Sequence, residues 1–394
     1  MWIKQRHRLF VNIIRPFCYL YIKLKYRARL DKKRSFKDGA IVMSNHVTGV
    51  DAILMGLLVK QQIYYLADKE ILTRPFTGKL LSYFFHIIPK EISKNNDFAA
   101  IRYSMMVCKE NGVIGLFPEL NRTYSGDLGY INPNIIKLCK RLKKPIVIFN
   151  IKGGYGVAPK WGKHKRSGSI EVSFKHVYSY QDYKDIDNEV LYKRIVNDLT
   201  VDDYNSKALY KGKSLAMNLE KVLYICPCCK ARNTLASSGN IISCNECKLQ
   251  VEYMPDLTLR ANKDSFKFER VNSWYKYQKE EIKKDSYQNK DVIYSDEATI
   301  YMPKPYKKRV RLGEGTMYLY NDKFLFKLDN QTLILEHSKI RAVILYGNNK
   351  MNIYLGHDTY QVNVSDRVNL LKYLDMFNLI KYNDDSMDNP YLGL

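Results

Sequence analysis

The stretch Ser44-Asn45-His46-Val47-Thr48-Gly49-Val50-Asp51 sets a histidine five residues ahead of an aspartate. The apolar run Ala40-Ile41-Val42-Met43 precedes it, and Ala52-Ile53-Leu54-Met55 follows. A basic ring nitrogen at a strand-to-helix turn, with a carboxylate just inside the helix, suits removal of a proton from an alcohol. Asp51 would hold the imidazole of His46 in one tautomer. Further on, Gly115-Leu116-Phe117-Pro118-Glu119-Leu120-Asn121-Arg122-Thr123 places an acid and an arginine three apart in a polar turn. Glu119 and Arg122 can bind a polar head group there, because arginine clamps phosphate with two parallel hydrogen bonds. No Gly-x-Ser-x-Gly elbow occurs, which argues against a serine hydrolase. The other histidines (His7, His86, His164, His176, His337 and His357) lack such a partner pattern and are expected to be structural.

A second constellation consists of cysteines. Cys226-Pro227-Cys228-Cys229 and Cys244-Asn245-Glu246-Cys247 form two C-x2-C units fourteen residues apart. This is close to zinc-ribbon spacing, with Cys226, Cys229, Cys244 and Cys247 as four thiolate ligands and Cys228 as a spare. Four sulfurs leave no open coordination position, so the expected Zn2+ is structural rather than catalytic. Cys18, Cys108 and Cys139 have no motif and read as buried thiols. Paired units of this kind, rather than a dispersed disulfide framework, suit a reducing, cytoplasmic location.

Both motifs need elements to position them. Short apolar strands at 40–43, 63–66, 86–89, 113–117, 145–150 and 169–174 alternate with helices expected at 50–60, 75–84, 97–110 and 132–142. That alternation predicts an α/β domain with a mostly parallel sheet and flanking helices. In such sheets, sites form at the carboxyl ends of strands, where His46 and Glu119 both fall. Residues 180–224 read as a helical hairpin. Residues 265–290 contain a helix, Trp274 to Lys284, capped by Asn272 or Ser273, which follows the ribbon. From about 292 the period changes to two, with a hairpin turning at Asn321-Asp322. Strands at 332–336, 340–346, 351–355 and 359–364 follow, then a helix over 367–379. This small antiparallel β domain resembles the PH or GRAM type. The implied domains are 1–30, 31–222, 223–256, 257–291 (a helical linker), 292–382 and a polar tail, 383–394.

The ordered set, HxxxxD, then Phe-Pro-Glu-x-x-Arg, then the strand led by Pro145-Ile146-Val147-Ile148, resembles the glycerolipid acyltransferase family over roughly residues 30–220. Its best-known members are 1-acylglycerol-3-phosphate acyltransferases. The resemblance implies His46 as general base, Asp51 as its partner, and Glu119 and Arg122 as binders of the glycerol phosphate. It implies acyl-CoA or acyl carrier protein as donor and a lysophospholipid as acceptor, 1-acylglycerol 3-phosphate above all. Asn45 would assist at the oxyanion or fix the turn. The family's usual Glu-Gly-Thr-Arg reads Glu119-Leu120-Asn121-Arg122 here. The arginine that ends its second motif is replaced by Lys90, a point charge without bidentate geometry.

With 394 residues and a net charge of +24, the chain calls for an anionic partner. Residues 1–30 mix Trp2, Leu9, Phe10, Ile13, Phe17, Leu20 and Leu24 with lysines and arginines, which suits a helix lying in a membrane interface. No run of eighteen uncharged apolar residues and no cleavable signal pattern is present. The expected location is therefore peripheral, on the cytoplasmic face of the cell membrane. A basic run including Lys304, Lys307, Lys308, Arg309 and Arg311 offers a second anionic-lipid contact. A nucleic-acid-binding ribbon is the alternative from another class, but it leaves the ordered His/Asp and Glu/Arg motifs unexplained. A catalytically silent lipid-binding scaffold rests only on Leu120 and Asn121.

Overall fold

The computed structural model describes residues 2–73, 77–90, 98–119, 121–304 and 308–382; Leu120, Lys307 and the tail from Asn383 fall outside these. The first part of the chain forms α1 (Gln5–Tyr26), β1 (Arg29–Leu30), β2 (Ala40–Ser44), α2 (Asp51–Leu58), β3 (Ile63–Asp68), α3 (Thr77–Leu80), β4 (Ile88–Lys90) and α4 (Phe98–Lys109). It continues through β5 (Val113–Leu116), α5 (Asn134–Leu142), β6 (Ile146–Lys152), α6 (Gly154–Val157), β7 (Glu171–Tyr178), α7 (Tyr180–Tyr183) and α8 (Asn188–Leu199). Seven strands make one sheet in the order β1-β7-β6-β2-β5-β3-β4. Its pairs are parallel except β6 with β7, so the mostly parallel sheet expected from the alternation is present.

The central strand shows why its sequence is apolar at successive positions. Ala40 and Val42 of β2 pack with Leu54, Met55 and Leu58 of α2. Ile41 and Met43 point the other way, into a core with Ala100, Val107, Ile135 and Leu138 from α4 and α5. A strand covered by helices on both faces has no solvent side to make polar.

Several boundaries differ from the sequence expectation. The strand expected from residue 86 begins at Ile88, because His86 is left-handed (φ 47°) and ends a π-helical turn, Leu81–Phe85. The strand expected at 169–174 runs over Glu171–Tyr178. The helical hairpin expected to fill 180–224 gives only α7, α8 and a 3-10 turn at Leu219–Lys221. Between them Tyr204, Tyr210 and Leu215 are buried in the sheet's core, so the chain wraps over that core instead of coiling.

The ribbon follows as β8 (Leu235–Ser238), β9 (Ile241–Cys244), β10 (Gln250–Tyr253) and β11 (Leu259–Ala261), a four-stranded antiparallel sheet. Next comes α9 (Val271–Lys283). Residues 257–291, read as a linker, are packed. β11 completes the ribbon sheet, Trp274 Nε1 donates to the Ile225 carbonyl at 2.9 Å, and Gln278 Oε1 accepts the Tyr224 N–H at 2.9 Å. The helix lacks the expected side-chain cap. Its N-cap is Arg270, Asn272 Nδ2 instead reaches Asp127 Oδ1 at 2.7 Å, and the Ser273 hydroxyl donates to the Arg270 carbonyl.

The last unit comprises β12 (Tyr294–Met302), β13 (Val310–Leu319), β14 (Lys323–Leu328), β15 (Thr332–Glu336), β16 (Ile340–Tyr346), β17 (Lys350–Leu355), β18 (Asp358–Val364) and α10 (Leu371–Tyr382). Its seven strands form an antiparallel sheet in the order β15-β14-β13-β12-β18-β17-β16. The units are joined by buried polar contacts. Asp375 of α10 accepts the hydroxyls of Tyr224 (2.9 Å) and Tyr275 (2.7 Å). The β16–β17 hairpin leans on the first sheet: Tyr354 donates to Asp68 Oδ2 at 2.9 Å, and Asn348 Nδ2 donates to the Trp161 carbonyl at 3.2 Å.

At the other end, α1 is tied to the sheet domain by Arg15. Its guanidinium bonds to the carbonyls of Val59, Lys60 and Gln61 at 2.8, 2.7 and 2.9 Å, just past the C-terminus of α2. A cation is favoured at that end of a helix. Ile22 and Tyr26 face inward, while Leu9, Ile13, Phe17, Leu20 and Leu24 are exposed, Leu24 to 74%. Among the described residues no helix is long and apolar enough to cross a membrane.

Candidate active site

The turn after β2 is built around one carboxylate. Asp51 opens α2 with its side chain fully buried. Its Oδ2 accepts the Val47 N–H at 2.7 Å and the Thr48 N–H at 2.9 Å, and its Oδ1 accepts the Thr48 hydroxyl. The ring of His46 meets the same carboxylate, Nδ1 to Oδ2 at 2.8 Å. Because an ionised carboxylate only accepts, Nδ1 carries the proton and Nε2 holds the free lone pair. Among the described residues Nε2 has no hydrogen-bond partner, and the side chain is 23% exposed. The ring stacks on Phe117, centroids 4.6 Å apart. The contact fixes the ring through Nδ1 and leaves Nε2 unbonded among the described residues.

Glu119 lies directly beneath this turn. Its Oε1 accepts the His46 N–H and its Oε2 the Gly129 N–H, both at 2.6 Å. Burial pushes its carboxyl up to about 8, opposed by the two N–H donors and assisted by the nearby charge of Asp51. The turn is closed again by the Thr123 N–H, which donates to the His46 carbonyl at 3.1 Å. Glu119 therefore braces the turn that carries His46, with both its oxygens holding backbone N–H groups. Asn45 is clasped to β6: its Nδ2 donates to the Ile151 carbonyl at 2.9 Å and its Oδ1 accepts the Ile151 N–H at 2.8 Å. That clasp uses the amide to pin β2 to β6, which is the turn-fixing alternative.

Arg122 lies in the same loop as Glu119, half-buried, with no hydrogen bond or ion pair among the described residues. Lys90 ends β4, buried, in register with Asp68 of β3 and at the carboxyl edge of the sheet, two strands from β5. The sheet thus carries His46, Glu119 and Lys90 at the carboxyl ends of parallel strands.

Some contributors were not legible beforehand. Asp203, in the irregular stretch after α8, accepts the Gly153 and Tyr155 N–H groups at 2.6 and 3.0 Å and fixes the loop entering α6. A side chain at Gly154 would meet Val47 within 2.4 Å, so this glycine lets the loop lie against the His46 turn. The glycine run was the available signal; its acidic partner carried none. Thr48, three residues before Asp51, was the readable hint of a side-chain-stabilised turn.

The four cysteines converge as their spacing predicts. The Sγ atoms of Cys226, Cys229, Cys244 and Cys247 all lie within 4.8 Å of one another. The pairs Cys226–Cys247 and Cys229–Cys244 are each 3.7 Å apart. A tetrahedral thiolate site with zinc–sulfur bonds of about 2.3 Å has edges of about 3.8 Å, so the group fits a metal ion. Cys228 turns away, its Sγ 3.3 Å from the Ser265 hydroxyl.

An α/β sheet with a histidine–aspartate pair at its strand ends is the class this fold and site define. Residues 24–152 match the family model described as Acyltransferase. Among solved structures the chain is similar to the crystal structure of the 1-acyl-sn-glycerophosphate (LPA) acyltransferase PlsC from Thermotoga maritima. That match is 18% identical with a TM-score of 0.39, covering 49% of this chain and 80% of that one. It is also similar to the solution structure of the N-terminal PH domain of the human ARAP2 protein, 12% identical with a TM-score of 0.20, covering 24% of this chain and 84% of that one. No curated protein matches the sequence.

Proposed function

We propose that the chain is an O-acyltransferase that moves a fatty acyl group from a thioester, acyl-CoA or acyl carrier protein, to a hydroxyl of a lysophospholipid. The observation that carries this reading is the His46 Nδ1–Asp51 Oδ2 contact of 2.8 Å, with Nε2 left unbonded among the described residues on a part-exposed ring. The family match over residues 24–152 supports the reaction class. The acceptor proposed is 1-acylglycerol 3-phosphate, giving phosphatidate.

In this reading Nε2 of His46 takes the proton of the acceptor hydroxyl as its oxygen attacks the thioester carbonyl carbon. Buried Asp51 stabilises the imidazolium that forms and keeps the ring oriented. The tetrahedral intermediate collapses by breaking the carbon–sulfur bond, and the thiolate recovers the proton from His46. The acceptor itself is the nucleophile, so no acyl-enzyme is required. The four-cysteine group binds a structural Zn2+ that holds the ribbon together. The exposed apolar face of α1, flanked by Arg8, Lys23, Lys25 and Arg27, rests on an anionic bilayer, making the protein peripheral at the cytoplasmic face of the cell membrane.

The test is a panel of lysolipids against acyl-CoA and acyl carrier protein donors, with products identified by mass and His46→Ala as the blank. Phosphatidate from 1-acylglycerol 3-phosphate in the wild type, absent in the blank, is expected. A wild type that forms no acylated lipid from any pair defeats the proposal.

A further inference from the structure

The loop between β5 and α5 carries bonds that hold the His46 turn. Its near limb meets both backbone groups of His46: Glu119 Oε1 accepts the N–H at 2.6 Å, and the Thr123 N–H donates to the carbonyl at 3.1 Å. Glu119 Oε2 accepts the Gly129 N–H at 2.6 Å, so the same carboxylate joins the turn to the far limb. Two residues before Gly129, Asp127 reaches α9, beyond the ribbon. Its Oδ1 accepts from Asn272 Nδ2 at 2.7 Å, and its Oδ2 pairs with Lys276 Nζ at 2.7 Å. Asn272 and Lys276 stand one turn apart on α9 and so share a face. The Asn272 amide is set for this contact, because its Oδ1 already holds the Ser273 N–H at 2.9 Å. Lys276 is exposed, and an exposed ion pair adds little. The charge-assisted bond from Asn272 is the firmer hold.

We infer that Asp127 is a positioning residue for the His46 turn, and that α9 sets the place of that turn through it. The path runs from Asn272 to Asp127, along two residues of backbone to Gly129, and through Glu119 to the His46 N–H. Glu119 is a bridge with one oxygen on each side, so a shift of the Gly129 limb pulls on the His46 backbone. A base displaced by about 1 Å can cost about a hundredfold in rate while every reacting group is still present. Asn272 stands 145 residues beyond Asp127, so a late part of the chain takes a share in holding the base. That the place of the turn governs a rate rests on the acyl-transfer reading; the path of contacts does not.

The experiment uses the full chain as wild type, Asp127→Ala, Asp127→Asn, Asn272→Ala and the exposed α9 control Glu280→Ala. Isotope labelling of the histidine backbone nitrogens gives one amide cross-peak for each of the seven histidines. The peak of His46 is the one lost in His46→Ala. In Asp127→Ala and Asn272→Ala that peak should move while the other histidine peaks hold. In the same samples kcat for acyl transfer should fall about tenfold to a hundredfold, with KM for the acceptor near wild type. The double variant Asp127→Ala with Asn272→Ala should be no worse than Asp127→Ala, because both remove the same bond. Asp127→Asn keeps a carbonyl oxygen for Asn272 and should restore both readouts, and Glu280→Ala should match wild type. Should Asp127→Ala not fold, Asn272→Ala carries the same test. A His46 peak and a kcat at wild-type values in the alanine variants, or a movement spread over all the histidine peaks, overturns the inference. A wild type that acylates no lipid overturns only the acyl-transfer reading, and the His46 peak then decides the positioning.

Discussion

Glu119 Oε1 accepts the backbone N–H of His46 at 2.6 Å, so the second motif supports the first from below. With Oε2 holding Gly129, each carboxylate oxygen faces a donor. Glu119→Gln would turn an amide nitrogen toward one of those N–H groups. A buried donor left without an acceptor costs about 1–3 kcal/mol, so urea unfolding should shift by that amount. The kcat should fall while KM for the acceptor stays near wild type. A variant of unchanged stability whose only defect is a raised acceptor KM would return Glu119 to a substrate-binding role.

Removing the base and removing its partner should differ. His46→Ala should lower kcat by about 10²–10⁴ and cost less stability than a change at Asp51, because the ring is part-exposed and Asp51 keeps its Val47 and Thr48 donors. Asp51→Asn should lower both kcat and stability, since Asp51 also receives Val47 and Thr48. Single-turnover rates with urea unfolding of the same samples separate the two. Equal stability losses in both would contradict this division.

Leu9, Ile13, Phe17, Leu20 and Leu24 are exposed along one face of α1. Burying a side chain of this size is worth about 1.5–3 kcal/mol. Phe17→Glu with Leu24→Glu should therefore cut cosedimentation with anionic vesicles by at least tenfold, with the helical circular-dichroism signal retained. Binding that survives the double change would place the membrane contact elsewhere.

Loss of metal should act beyond the ribbon. Ile225, next to Cys226, receives Trp274 of α9, and neighbouring Tyr224 is tied to Gln278 and Asp375. Chelation or Cys244→Ser should lower the melting temperature of the whole chain, with bound metal, read by elemental analysis, falling toward zero. Cys228→Ser should change neither, because Cys228 faces Ser265.

His7 is fully buried, and among the described residues neither ring nitrogen has a hydrogen-bond partner. It packs against His86 and Tyr64. Burial, with the nearby His86, Arg6 and Lys4, lowers its pKa to about 4 from 6.5. The unfolded chain therefore takes up a proton first. Stability is full above about pH 6.5 and declines as pH falls toward 4, where the folded form also protonates. His7→Phe, which keeps the ring in an apolar stack, should flatten that part of the pH–melting curve. An unchanged slope between pH 6.5 and 4 would assign it to other groups, among them His337, which burial lowers in the same way.

Local pattern determined a good deal of this protein. Apolar runs such as Ala40-Ile41-Val42-Met43 mark strands buried on both faces, and strict C-x2-C spacing marks a ligand set, because both signals act within a few residues. His46 and Asp51 were readable for the same reason: one turn of chain suffices to bring them together. The tertiary structure alone decided where Glu119, Asn45 and Asp203 bond. Each meets a partner far along the chain: His46, Ile151 and Gly153. A carboxylate or an amide becomes a brace or a clasp according to which distant backbone groups share its low-dielectric surroundings. Those neighbours are set by strand order and domain packing, not by spacing along the chain.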